Sequence, residues 1–536
     1  MAIKIQGTTI INDQTAYIDL AGTTAIKVPV GTDLERPVGV IGQLRYNSTA
    51  ATFEGFGGVE WGSIGGSTGP TLQAIASGTL PNGVPVVINA DGTVSAVGLS
   101  SSEAVVFNSA TTDWMSATFD SFNNKVVVAY TDYGNSGFGT AVVGTVSGTS
   151  ISFGTPVVFE SASATYTAAT FDSNSNKVVI AYRDNGNSQF GTAVVGTVSG
   201  TSISFGTHVV FESANATNIS ATFDSSNNKV VIAYSDAGNS SFGTARVGTV
   251  SGTSISFGTP VVFESANTAL ISATFDSNSN KVVIAYRDSG NSGFGTAVVG
   301  TVSGTSISFG TAVVFNSAYT YHISATFDSF NNKVVIAYRG SSSFGTARVG
   351  TVSGTSISFG TTVVFASADT TNITITFDSF NNKVVIAYRD EANSGFGTAV
   401  VGTVSGTSIS FGTPVVFESA STFTPLATFD SNSNKVAIAY RDFGNSNFGT
   451  AISIDSLDAV GTNLTTENYI GFSAGAYADA ATATVQIGGS VNESQSGLVT
   501  AQQYFVTGTG ALAQTPGNPN VYAGVAVATT KIIIKG

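Results

Sequence analysis

Cysteine is absent from the 536 residues, and histidine and tryptophan occur twice each. Without cysteine there is no disulfide, no thiolate nucleophile and no Cys-based zinc site, and the redox compartment stays open. Two histidines, His208 and His322, make no case for a metal centre, and His208 fills a site that is proline in other repeats. Charge is scarce too: 10% of residues are charged, and 33 acidic against 20 basic side chains give a net charge of -13 with no Lys/Arg cluster. A nucleic-acid partner is therefore not expected, because phosphate backbones demand clustered cations. No run of about 18 apolar residues exists to span a bilayer. The start, MAIKIQGTTIINDQ, lacks the apolar core of a signal peptide, so neither membrane insertion nor signal-directed secretion is expected. Helical spacing of Leu, Glu and Lys is missing as well. What remains, 61 glycines among Ser, Thr, Val and Ala, reads as all-β.

The string T-F-D-S recurs at Phe119, Phe171, Phe223, Phe275, Phe327, Phe377 and Phe429, a period of 52 residues broken once by a unit of 50. Each copy reads as four strands, of the type ISATFD, KVVIAYRD, GTAVVGTVSG and TSISFGTPVVF, separated by Asp, Asn, Gly and Ser. Four strands per repeat are the signature of a propeller blade, so the expected fold is a seven-bladed β-propeller. Apolar residues fall on both faces of the second strand, Val178, Ile180 and Tyr182 against Val179 and Ala181, as stacked blades require. Gly196 and its counterparts interrupt the third strand, where a missing side chain lets a neighbouring backbone approach.

The last repeat lacks its SISFGTPVVF strand, whereas Val97 to Phe107 matches that strand and has no blade before it. This orphan is expected to complete the seventh blade and remove the exposed edges. The expected organisation is an N-terminal β module over 1–70, a connector over 71–96, the propeller over 97–456 and a C-terminal β module over 457–536. In the first module a hairpin within 42–66 would have Phe53 and Trp61 as its core.

The seven copies differ unevenly. The VSGTS turn is identical in all six copies that have it, and the turn DSNSNK or DSFNNK hardly varies. The loop leading into each first strand changes freely, with Asp113, Trp114 and Met115 in one copy, Thr165, Tyr166 and Thr167 in the next, and Asn218, Leu270, Tyr321, His322, Asn372 and Phe423 among the rest. The loop after the second strand varies less, with Tyr133, Asn185 and Phe443 among its residues. Strand alternation puts both variable classes on one face of the disc. That face is either a recognition surface, with exposed Trp114, Tyr166 and Tyr321 suited to sugar stacking or protein contact, or a set of loops that drift because nothing packs on them.

Catalytic motifs are weak. Gly471-Phe472-Ser473-Ala474-Gly475 matches the G-x-S-x-G elbow, but that fold needs a later histidine, and both histidines come earlier. The seven T-F-D-S aspartates, Asp120 to Asp430, sit in equivalent settings and read as turn caps rather than an unequal acid/base pair. Arg183, Arg287, Arg389 and Arg441 resemble the anion-binding arginines of sialidases, yet they are spread round the ring. No catalytic residue, metal or cofactor is expected.

The blocks MAIKIQGTTIIND, RYNSTAATFEGFGGVEWGSIGG, SGTLPNGVPVVINADGTVSAVG and the tail from SGLVTAQQYF to KIIIKG resemble modules of tail-fibre-like virion appendage proteins of tailed bacteriophages, especially cyanophages. The FDSNSNKVVIAYRD repeat is similar to propeller repeats of the same group. The resemblance implies a virion location, an end module anchored to other virion proteins, a propeller facing a host-surface glycan or protein, and a homo-oligomer, since such appendages are often trimers. A purely structural part, such as a head decoration or tail spacer, and a glycan depolymerase are the alternatives.

Overall fold

The computed structural model describes residues 69–89, 91–97, 104–147, 150–454, 463–508, 510–517 and 519–535, with short strand pieces between residues 3 and 64. The chain divides into two compact units, one of residues 98–463 and one joining 1–97 to 464–536. No helix among the described residues is long and apolar enough to cross a membrane.

The first unit is a closed ring of antiparallel sheets, one per repeat, seven in all. The second blade shows the plan. Its inner strand, Ala164 to Asp172, pairs with Lys177–Asp184, which pairs with Phe190–Ser199. The outer position is filled first by Ser202–Phe205 and then by the start of Val209–Asp224. That last strand is 16 residues long, and its second half is the inner strand of the third blade. Neighbouring blades therefore share a strand.

Second strands are buried on both sides because each faces two sheets. Val178, Ile180 and Tyr182 pack against Val127 and Ala129 of the blade before, and Val179 and Ala181 against Val230, Ile232 and Tyr234 of the blade after. The buried Tyr182, Tyr234, Tyr286 and Tyr440 hydroxyls donate to Glu160, Glu212, Glu264 and Glu418 at 2.8–3.0 Å, which satisfies polar atoms the core could not leave bare. Gly196 leaves room for side chains rather than backbone: a Cβ there would meet Ile203 Cδ1 at 2.6 Å. The close backbone approach lies elsewhere, at Gly206, where a Cβ would run into the Thr253 carbonyl in the next blade's VSGTS turn. Gly154, Gly258, Gly310 and Gly360 repeat that contact. The turn is constant because the neighbouring blade rests on it.

Ring closure follows the expected plan over a shorter stretch. Val105, Val106, Asn108 and Thr111 pair with Ala451, Thr450, Gly449 and Phe448. Residues 98–103 lie outside the described residues, and Val97 belongs to the other unit, where its N–H donates to Pro85 O at 2.7 Å and its side chain joins a core with Phe472 and Val506.

The second unit corrects the expected connector. Within 71–96, the strands Thr71–Ile75, Pro85–Ile88 and Val94–Ala96 share a five-stranded sheet with Tyr469–Ser473 and Thr482–Gln486. A second five-stranded sheet comes from Val491 onward and includes Lys531–Ile534. The segments expected as connector and C-terminal module are one folded body, because the apolar faces of 71–96 find their partners only after residue 464. Nearer the start, Leu44–Asn47, Thr52–Phe56 and Trp61–Ile64 form an antiparallel meander. The expected Phe53 and Trp61 core lies outside the described residues.

Candidate functional site

Each shared strand changes sheets at the upper face, defined as the face opposite the T-F-D-S turns. The expected loop there is a β-bulge in a continuous strand. Register slips between Thr165 and Ala168, leaving Tyr166 and Thr167 without partners, and the same slip recurs in every blade. The strand already hydrogen-bonds the previous blade on one half and its own blade on the other, so one extra residue absorbs the change of direction. In each bulge the first unpaired residue is left-handed: Trp114, Tyr166, Asn218, Leu270, His322, Asn372 and Thr424 have φ between 45° and 52°. In the fifth blade the strand also breaks at Thr320.

The bulges converge. Trp114, Asn218, Leu270, His322, Asn372 and Thr424 line one cavity of about 320 Å³ over an apolar tier formed by Met115, Ile219, Ile271, Ile323, Ile373 and Pro425. One residue further on, the hydroxyls of Ser116, Ser220, Ser272, Ser324 and Thr374 accept the backbone N–H of Ala169, Ala273, Ala325, Ile375 and Ala427 in the next blade at 2.8–3.3 Å. Ala168 and Leu426 hold this position in the other two blades, where no such hydroxyl exists.

An outer tier surrounds the cavity, where the expected second variable loop meets the first. Asp113 pairs with Arg441 at 3.1 Å, and Asn185 donates to Ser163 Oγ at 3.0 Å. Phe423 lies between Arg389 and Arg441, whose guanidinium carbons are 4.1 and 4.6 Å from its ring centre, with Phe443 at 6.0 Å. Tyr133 and Phe443 are exposed. The expected exposure of Trp114, Tyr166 and Tyr321 is not found: all three are half-buried. Trp114 and Tyr166 pack against each other with ring centres 4.2 Å apart and planes tilted by 42°, and Tyr321 packs on Tyr319 at 4.7 Å with a tilt of 45°. Large rings beside one another on adjacent blades lose less water-exposed area apart than together.

Thus the twelve expected residues divide. Trp114, Asn218, Leu270, His322 and Asn372 share the cavity, while Asp113, Tyr133, Asn185, Tyr321, Phe423 and Phe443, with Tyr166 packed on Trp114, belong to the outer tier. Tyr319 and Asp369 were not among the expected residues. They occupy one repeat position, filled elsewhere by Thr111, Ser163, Asn215, Asn267 and Ser421, so the signal was the same variation two residues upstream. Arg339 also joins the arginine series, bonding Asp369 Oδ1 through Nε at 2.9 Å and Ser343 Oγ through Nη2 at 2.8 Å.

His322 is the titratable group of the cavity. Burial, with Arg339 close by, pushes its imidazole down to about 4, so it is neutral at pH 7. The T-F-D-S aspartates sit on the lower face as turn caps; Asp224 Oδ1 accepts from Ser226 N at 3.0 Å and Asn227 N at 2.9 Å. Ser473 is a buried residue within a strand, its hydroxyl donating to Pro81 O at 2.5 Å and accepting from Val84 N at 3.0 Å, which is no nucleophile elbow.

No family model and no curated protein sequence matches the chain. Among solved structures it is similar to the BP39L lectin from Burkholderia pseudomallei, with a TM-score of 0.46 and 12% identity, covering 65% of this chain and 100% of that one. It is also similar to the SapL1 lectin in complex with alpha methyl fucoside, with a TM-score of 0.36 and 13% identity over 58% and 97% of the two chains. The Cps50 (Swd1) β-propeller domain from Myceliophteria thermophila gives a TM-score of 0.45 and 7% identity over 67% and 99%. At this distance the fold rests on the strand pairing described above.

Proposed function

We propose that the upper face is a non-enzymatic recognition surface for a glycan of a host cell surface, displayed by a phage virion appendage. The observation that carries this reading is the ring of bulges. A left-handed backbone costs a bulky or β-branched residue roughly 1–2 kcal/mol, and asparagine much less. At the lower turns the left-handed position is Asn in all seven blades, from Asn124 to Asn434. At the upper bulges only Asn218 and Asn372 follow that preference, and Trp114, Tyr166, Leu270 and Thr424 run against it. Residues that the backbone disfavours, gathered round one cavity, are what a surface chosen for its side chains would hold.

Sugar is the ligand class that fits. Aromatic rings suit the apolar faces of pyranosides, and the interleaved Asn, Thr and Arg groups suit their hydroxyls. The flanking blocks support the virion setting through their resemblance to appendage modules. The test is binding of the full chain to arrayed bacterial surface polysaccharides and to host cells, comparing wild type with W114A/Y166A. Binding to a glycan, weakened at least about tenfold by the double variant, is expected, since stacked aromatic anchors contribute the most. Unchanged binding to cells, or release of reducing sugar by the wild type, would overturn the reading.

A further inference from the structure

The five upper-face arginines are not equivalent. Arg339 pairs with Asp369 at 2.8 Å, Arg389 with Glu391 at 3.2 Å and Arg441 with Asp113 at 3.1 Å, so three carry their own counter-charge. Arg183 has no acid partner among the described residues, but its Nε donates to Thr165 Oγ1 at 2.9 Å on the paired strand. Arg287 has neither. The residue paired with it is Ala269, which offers no acceptor, and Arg287 makes no hydrogen bond or ion pair among the described residues. The next residue, Asp288, is engaged in capping Asn291 N at 3.1 Å.

Arg287 is nonetheless held in place. Its guanidinium lies 4.9 Å from the centre of the Tyr319 ring, Tyr319 lies 4.7 Å from Tyr321, and Arg339 covers Tyr321 at 5.1 Å. These four planar groups form a packed row across the junction of the fourth and fifth blades. The Arg339 end is tied down by Asp369 and Ser343, and Tyr319 is seated on Gly293, where a Cβ would meet its ring at 2.5 Å. Only the Arg287 end is chemically unfinished. Tyr319 is 43% exposed beside it.

We infer that Arg287 binds an oxyanion carried on a sugar ring, a uronate carboxylate or a sulfate ester, as the acidic subsite of the glycan surface proposed above. A guanidinium packed on a ring and lacking a counter-ion among the described residues matches the two oxygens of such a group. The repeat supplies its own control. Tyr319 and Asp369 occupy the same repeat position, so Y319D recreates at Arg287 the internal ion pair that closes Arg339.

The experiment measures binding of the full chain to immobilised oligogalacturonate, its carboxyl-reduced neutral form, and a sulfated galactan oligosaccharide with its desulfated form. Wild type should bind an acidic probe better than its neutral counterpart, and whichever pair shows the difference identifies carboxylate or sulfate. R287Q and Y319D should each lose roughly 10- to 100-fold for that probe, as expected for a charged hydrogen bond, while Y319F, which keeps the packed row, stays within about twofold. Thermal melting of each variant checks folding. If R287Q binds the acidic probe as wild type does, or wild type prefers neutral probes, the inference fails while the glycan-binding reading stands. If wild type binds neither acidic nor neutral probes, nor any other surface glycan, both fail.

Discussion

Each blade carries one left-handed residue at its lower turn and one at its upper bulge, and the two faces treat these sites differently. Below, neighbouring blades meet at both kinds of turn: Gly206 lies against Thr253 of the VSGTS turn, and Ser226 donates to the left-handed Asn280 of the following blade at 2.5 Å. The left-handed residue there is Asn in all seven blades, the side chain that this backbone tolerates best. Above, blades are joined by backbone and by the Ser116-type hydroxyl, two residues beyond the left-handed site. The side chain at that site joins blades only in places, as where Asn218 Oδ1 accepts from Leu270 N at 3.0 Å and Trp114 packs on Tyr166. The same fold thus has a face on which one turn contact recurs from blade to blade and a face on which the contacts of the left-handed residue change from blade to blade.

The most damaging way to test this contrast is on the lower face. Gly206→Ala drives a methyl group into the Thr253 carbonyl, and a loss of about 3 kcal/mol is expected, read as a lower urea midpoint. A loss under about 1 kcal/mol would mean that the blades can part there freely.

Next in size is an acid response placed in the cavity. The folded imidazole of His322 has its pKa pushed below the ordinary value, to about 4, by burial and by Arg339 and Arg287, against the opposing pull of Glu391 and Asp369. A proton therefore binds the unfolded chain more tightly. Stability from this group is intact above pH 6.5 and is lost as the pH falls toward 4, by about 2 kcal/mol at pH 5. His322→Asn, the residue of the third and sixth blades, should remove that part of the acid sensitivity and leave stability at pH 7 nearly unchanged. Identical pH profiles for the two proteins would show that His322 takes up its proton without strain.

The smallest effect has the opposite sign. Thr424 is β-branched, has φ of 45°, and its buried hydroxyl lacks a partner among the described residues. Thr424→Asn should raise stability by about 1 kcal/mol, a gain at an upper-face site that the lower face, already Asn throughout, cannot offer. A loss instead would show that Thr424 is there for packing.

Blade number, strand count and the closing strand were legible because each rests on spacing that seven copies repeat. The loops were misread where structure depends on continuity. Nothing in Ser161 to Ala168 announces that the strand carries on through its bulge, since the left-handed residue there is Tyr166 rather than the Gly or Asn that mark a turn. The partner of Thr71 to Ala96 was hidden because it lies beyond the whole propeller, and pairing across such a distance leaves no local pattern. In the site, residues that vary between copies were legible as varied. Their pairing into Trp114 with Tyr166, or Tyr319 with Tyr321, depends on which blades adjoin and how far side chains reach, which repeat comparison does not contain.

The shared 16-residue strand has a consequence for any ligand long enough to touch two blades. There is no flexible linker between blades, only a shared strand that breaks at Thr320 alone among the described residues, so the separation between one bulge and the next is held by paired and packed sheets. A second contact then forms at a high and fixed effective concentration, with no tether to order first. A polymer whose repeat distance matches that separation gains avidity, and one that does not match gains none.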